Sequence, residues 1–328
     1  MKKILLKLMV LVCLPSMGLA QSSNSASTQA QHKEPREGVL LLAHGGSAQE
    51  WNEEVRHVAD QVDLTMPTEV AFGMATRSTM QTAINRLVAR GVTEIVAVPL
   101  FVSSHSSVID STAYLLGLRS QKPEDLKMFA SMDHGGGMVM AHGAMMREPS
   151  TIDEAEKAIL SPVPIHMASA LDHHQFVADI LRDRASSISR DPANEVVILV
   201  AHGPVPDDEN KLWLNDMGLL AEQIGKQTQY AGIEYLTLRD DAEEPVRNAA
   251  TQLLREKAEQ ITKEGKTVLI VPLLLSYGGI EDGLRKRLSG ISYRMPAQAL
   301  LPDERIVSWV IDTASNKATN SAVTAAQR

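Results

Sequence analysis

Short apolar runs alternate along this chain with longer stretches in which apolar positions recur every three or four residues. In the first half the runs are Val39–Ala43, Glu69–Gly73, Glu94–Val102 and Pro164–Ala170. In the second they are Val196–Ala201, Gly232–Leu238, Val268–Leu275 and Met295–Leu300. Their Val, Ile and Leu content predicts strands buried on both faces. The helical periodicity predicts helices over Trp51–Val62, Thr79–Arg90, Val108–Leu116 and Gln175–Ser186, then over Leu212–Ile224, Val246–Lys263, Ile280–Leu288 and Glu304–Ala314. Strand and helix in alternation predict an α/β fold, each unit a mostly parallel sheet flanked by helices in three layers.

The pattern is stated twice. Gly38-Val-Leu-Leu-Leu-Ala-His44-Gly45 returns as Glu195-Val-Val-Ile-Leu-Val-Ala-His202-Gly203. A helical stretch bearing Trp51 or Trp213 follows each copy, and each half then reaches Val-Pro-Leu, at Val98–Leu100 and Val271–Leu273. A duplicated ancestral unit is implied, with a first domain over residues 38–190 and a second over 191–314. The first carries an insertion at about 119–162, containing Met132-Asp-His134-Gly-Gly-Gly-Met138-Val-Met140-Ala-His142-Gly-Ala-Met145-Met146. Its triple glycine and lack of periodicity predict a mobile lid, with a short helix at Ile152–Leu160. Residues 315–328 read as a disordered polar tail.

The N-terminus changes the picture of where the chain works. Lys2 and Lys3, an apolar run over Leu5–Leu14 and the small residues Gly18-Leu-Ala20 form a signal-peptide pattern over residues 1–20. The run is too short to span a bilayer, and residues 21–37 read as a polar linker. A periplasmic or secreted protein is expected, without stable membrane insertion after cleavage. Loss of Lys2, Lys3 and Lys7 takes the formal charge from -8 to about -11, which argues against a nucleic-acid partner. The single cysteine, Cys13, would leave with the signal, which excludes disulfides, a thiolate nucleophile and Cys-ligated metal from the mature chain.

Ligands of open α/β sheets bind beyond the carboxyl ends of the strands, and right-handed crossovers bring those ends to one edge. His44 closes the first strand, His105 lies just past Val102, and His173 and His174 follow the fourth strand. Neutral imidazole is both a base near neutral pH and a ligand for Co(II), Fe(II), Ni(II) or Zn(II). His202 has the place of His44, but its half offers Ser276-Tyr-Gly-Gly-Ile280 opposite the His105 segment, and a residue near Asp303 opposite His174. His166, inside its predicted strand, is expected in the core or supporting a ligand, and His32 and His57 in solvent. No phosphate loop, dinucleotide glycine pattern or Gly-x-Ser-x-Gly elbow is present.

At these residues the chain resembles the class II tetrapyrrole chelatases, the sirohydrochlorin cobalt/iron chelatase family, in their double-length form. The matching motifs are Leu41-Leu-Ala-His44-Gly, Trp51-Asn-Glu-Glu-Val, Val98-Pro-Leu-Phe-Val102 with a nearby histidine, and Leu171-x-x-His174 before a helix, within about residues 38–314. The resemblance implies two chelatase-like domains and insertion of Co(II) or Fe(II), with Ni(II) also admissible, into a sirohydrochlorin-like tetrapyrrole. His44 and His105 would bind the metal and help remove pyrrole protons, His174 would be a further ligand, and Arg77, Ser104, Ser106 and His202 would contact the macrocycle. Arg119 is a second arginine placed to meet its carboxylates. Two departures stand out. The usual family histidine aligns near Ser107 rather than at His105, and the carboxylate that some relatives carry after the second strand is replaced near Met74 or, in the other half, Arg239. A metal or tetrapyrrole carrier without turnover is the competing expectation, motivated by the Met/His insertion.

Overall fold

The computed structural model describes residues 36–131 and 152–316. The expected signal peptide, nearly all of the linker, the Met/His/Gly-rich part of the insertion and the end of the tail lie outside the described residues. The elements run β1 (Glu37–Ala43), α1 (Gln49–Asp63), β2 (Thr68–Phe72), α2 (Arg77–Ala89), β3 (Glu94–Leu100), α3 (Ser107–Leu115), α4 (Leu126–Ser131), α5 (Ile152–Ala155), β4 (Ile165–Met167) and α6 (Gln175–Ile188). They continue with β5 (Glu195–Ala201), α7 (Asp207–Gly225), β6 (Gly232–Thr237), α8 (Glu244–Lys263), β7 (Thr267–Leu273), α9 (Ile280–Arg287), β8 (Tyr293–Arg294) and α10 (Glu304–Ser315).

Two all-parallel sheets result, ordered β2-β1-β3-β4 and β6-β5-β7-β8. Alternation within the strands assigns the layers. Val39, Leu41 and Ala43 of β1 face a central core shared with Val197, Leu199 and Ala201 of β5, whereas Leu40 and Leu42 face an outer layer with α2 and α3. The second sheet has its own outer layer, in which Ile198 and Val200 meet Leu254 and Ala258 of α8. This is why β1, β3, β5 and β7 carry no polar side chain after their first residue: each is covered on both sides. Among the described residues no helix is long and apolar enough to cross a membrane.

The helices do not respect the boundary between the sequence halves. α6, from the first half, packs on β7 and α7, and α10, from the second, packs on β3 and α1. Residues 38–190 and 191–314, expected as separate domains, therefore share one core within a single unit, Pro35–Arg328.

Three local expectations are corrected. The eighth strand is Tyr293–Arg294, pairing with Val268 and Leu269, and not Met295–Leu300, since Pro296 has no amide to continue the ladder. The helix expected over Ile152–Leu160 ends at Ala155, and the following segment is held by Ile159 N–H to Leu115 O and by Gln81 and Arg77 of α2. His166 is exposed on β4, the edge strand, where its Nε2 pairs with Glu94 at 3.0 Å.

Candidate active site

In each sheet the strand order reverses between the two central strands, at β1/β3 and at β5/β7. Ligands of such sheets bind beyond that point. Ala43 and Leu100 are register partners at the ends of β1 and β3, so the loops bearing His44 and His105 leave from adjacent positions. The glycine of Ala-His-Gly makes this turn possible. Gly45 has φ +69° and Gly203 φ +77°, and a Cβ would lie 2.8 Å from Phe72 Cδ1 at the first and 2.5 Å from Thr237 Cβ at the second. Phe72 and Thr237 end β2 and β6, so the motif is fitted to its neighbouring strand in both copies.

His44 lies stacked on Trp51, with ring centroids 5.5 Å apart and planes 12° from parallel, and its Nδ1 meets the Gly45 carbonyl. Asn52 holds the next residue, accepting from Gly46 N–H and donating to Gly46 O. His105 is gripped from the other half of the chain. Trp213 Nε1–H donates to the His105 carbonyl at 2.7 Å, and Asp216 Oδ2 lies 3.6 Å from His105 Nε2. The other oxygen of Asp216 lies 2.8 Å from His173 Nδ1. Burial of Asp216 pushes its carboxyl up, against the pull of the His173 hydrogen bond and the His105 ring.

The remaining candidates divide. His174 caps α6, its Nδ1 accepting from Phe176 N–H at 3.2 Å, which leaves Nε2 as its one open nitrogen. Burial pushes its pKa down, partly offset by Asp312. Asp303 caps α10 in the same way, accepting from Arg305 N–H at 3.1 Å, and is the structural equivalent of His174. Ser104 is used inside the protein: its hydroxyl donates to Asp172 and accepts from Ala170 N–H, both at 2.8 Å. Ser106 is the residue before α3 and makes no side-chain cap there. Arg77 opens α2 and donates to Lys157 O, while Arg119 pairs with Asp110. His202 faces Asp241, at 3.4 Å, in its own half. Arg239, just past β6, is buried against Asp207 and Val205 O. Among the described residues, no three His, Cys, Asp or Glu side chains are already gathered around one point as a metal site.

Asp216 and Trp213 were not singled out as site residues by the sequence, and His173 only as a histidine beyond the fourth strand. A signal existed. Aligning the halves on Trp51 and Trp213 superposes Val55, Val58, Ala59 and Val62 on Met217, Leu220, Ala221 and Ile224, all core residues, and sets Glu54 opposite Asp216.

Solved chelatase structures share this fold. SirB from Bacillus subtilis with Fe3+ matches at a TM-score of 0.56 and 19% identity, over 88% of this chain and 97% of that one. SirB from B. subtilis subspecies spizizenii in complex with cobalt matches at 0.55 and 14% identity, over the same shares. In sequence, residues 38–125 match the CbiX family model. A sirohydrochlorin cobaltochelatase from Methanothermobacter thermautotrophicus is 30% identical over 89 residues, 26% of this chain and 62% of that protein's length. Residues 38–125 are thus similar to the class II tetrapyrrole chelatases in sequence, and the chain spans under two thirds of the length of the curated relative it matches.

Proposed function

We propose that this protein is an exported chelatase that inserts Co(II) or Fe(II) into a sirohydrochlorin-like tetrapyrrole, with metal and macrocycle both as substrates. The observation that carries the reading is the placement of His44 and His105 on loops leaving the paired ends of β1 and β3. Insertion requires a metal ion partly stripped of water and the removal of two pyrrole N–H protons. Imidazoles serve both needs at neutral pH, where carboxylates are weaker bases. Trp51, stacked on His44, gives that imidazole a fixed face, and Trp213 fixes the backbone of His105.

An absorbance assay with the purified chain, sirohydrochlorin and Co(II) tests the proposal. A metal-dependent rate above the uncatalysed one, lost in His44→Ala and His105→Ala, is expected. Stoichiometric binding without turnover would make the protein a carrier instead. Export rests on the N-terminal pattern, and mass spectrometry of the exported chain is expected to find Gln21 first. A chain retaining Met1 and Cys13 would remove that part of the proposal.

A further inference from the structure

We infer that Asp216 is a positioning residue for His105, acting on it across the interface between the two halves. The inference rests on reading His105 as a metal-binding imidazole, but its first test is independent of that reading. Trp213 and Asp216 lie one turn apart on α7 and so face the same loop, the one that follows β3. The Trp213 indole fixes the His105 carbonyl, and Asp216 then faces the ring. The carboxylate is itself held: His173 Nδ1 lies 2.8 Å from Oδ1, and Gln223 Nε2–H donates to the His173 carbonyl at 2.9 Å. Asp172, the other carboxylate near Asp216, is already engaged by the amide and hydroxyl of Ser104.

Asp216 Oδ2 is buried and accepts no hydrogen bond among the described residues. A buried carboxylate oxygen without a donor is costly. It faces His105 Nε2 at 3.6 Å, an ion-pair separation rather than a formed hydrogen bond. With Nε2–H turned to the carboxylate, Nδ1 keeps the lone pair for a metal, the arrangement by which outer carboxylates orient metal-binding histidines.

The internal repeat supplies a comparison within the same molecule. Glu54 stands where Asp216 stands, half-buried, with Oε2 shielded from solvent and accepting no hydrogen bond among the described residues. It faces Ser276, and Trp51 lies against Gly278, where a Cβ would be 3.2 Å from its Cε3. Gly278 is the counterpart of His105. Both copies therefore aim a carboxylate and an indole at the opposite loop, and only one of those loops carries an imidazole.

Long-range 1H–15N NMR on the metal-free full chain reads the tautomer of His105. The Nε2–H form is expected to dominate, to lose that dominance in Asp216→Asn, and to persist in Glu54→Gln. Titration with Co(II) alone is expected to show Asp216→Asn binding about ten- to a hundredfold more weakly, with no further loss when it is combined with His105→Ala. A wild-type His105 in the Nδ1–H form, or an Asp216→Asn variant with unchanged tautomer and unchanged Co(II) affinity, overturns the inference. Should Asp216→Asn fail to fold, His173→Ala removes the anchor of the carboxylate from a half-exposed position, and an unchanged His105 spectrum there overturns it equally. If the tautomer responds as expected while the wild-type chain does not bind Co(II), the positioning role stands and the metal reading falls.

Discussion

Glu195 shows how single residues hold this frame. It opens β5 and is almost wholly buried. Burial opposes its ionisation, but hydrogen bonds from the Ser189 hydroxyl, the Arg190 and Asp191 amides and the Arg294 guanidinium override it and hold the carboxyl at about 2. A carboxyl held that far below its ordinary value of 4.5 contributes about 3 kcal/mol to stability. Because the folded value is the lower one, the contribution is complete above about pH 4.5 and disappears as the pH falls towards 2. Glu195→Gln is expected to lower the unfolding free energy at pH 7 by about 3 kcal/mol, and to lose less than wild type on acidification between those limits. Denaturant curves at a series of pH values check this; curves that run parallel for the two proteins would contradict it.

At the scale of elements, much was legible in the sequence. Strands β1, β3, β5 and β7 are continuous apolar runs, and an all-parallel pair of sheets follows from their alternation with amphipathic helices. The edge strands were less legible. β4 and β8 are three and two residues long, so few side chains carry the pattern, and Pro296 and the exposed His166 blur it. The exchange of α6 and α10 left no sequence signal at all. Both helices present an apolar face, and periodicity says which residues are buried but not against which sheet. Of the candidate site, motifs mark His44 and His105, and their loops leave the paired ends of β1 and β3. Asp216 was hidden because a carboxylate on an otherwise amphipathic helix looks like a solvated position. The exchange has a measurable consequence. Trp309, on α10, is fully buried in the shared core, and α10 packs on β3 of the first half. Trp309→Ala is expected to cost about 3–5 kcal/mol and to weaken both halves in one cooperative transition. Unfolding followed by circular dichroism and by fluorescence checks it, and two separated transitions would rule out a common core.

The whole molecule is a pseudo-symmetric frame whose two copies have kept different chemistry. Turn glycines, strand order, indoles, helix caps and interface carboxylates recur in both. Of the imidazoles only one recurs, His202 for His44. The first half places His44 and His105 beyond neighbouring strands and adds His173 and His174, whereas the second has His202 beside Asp241, with Gly278 and Asp303 at the other two positions. One imidazole seldom holds a divalent ion against water, and the Asp241 carboxylate next to His202 is largely exposed. A first-half site should therefore dominate metal binding, with His202 left to the structure or to the opposite wall of a macrocycle site. Isothermal titration with Co(II) separates the two halves. His44→Ala and His105→Ala are each expected to remove most of the affinity, and His202→Ala to change it little. If His202→Ala does the most damage while His105→Ala binds as wild type, the ligands lie in the second half.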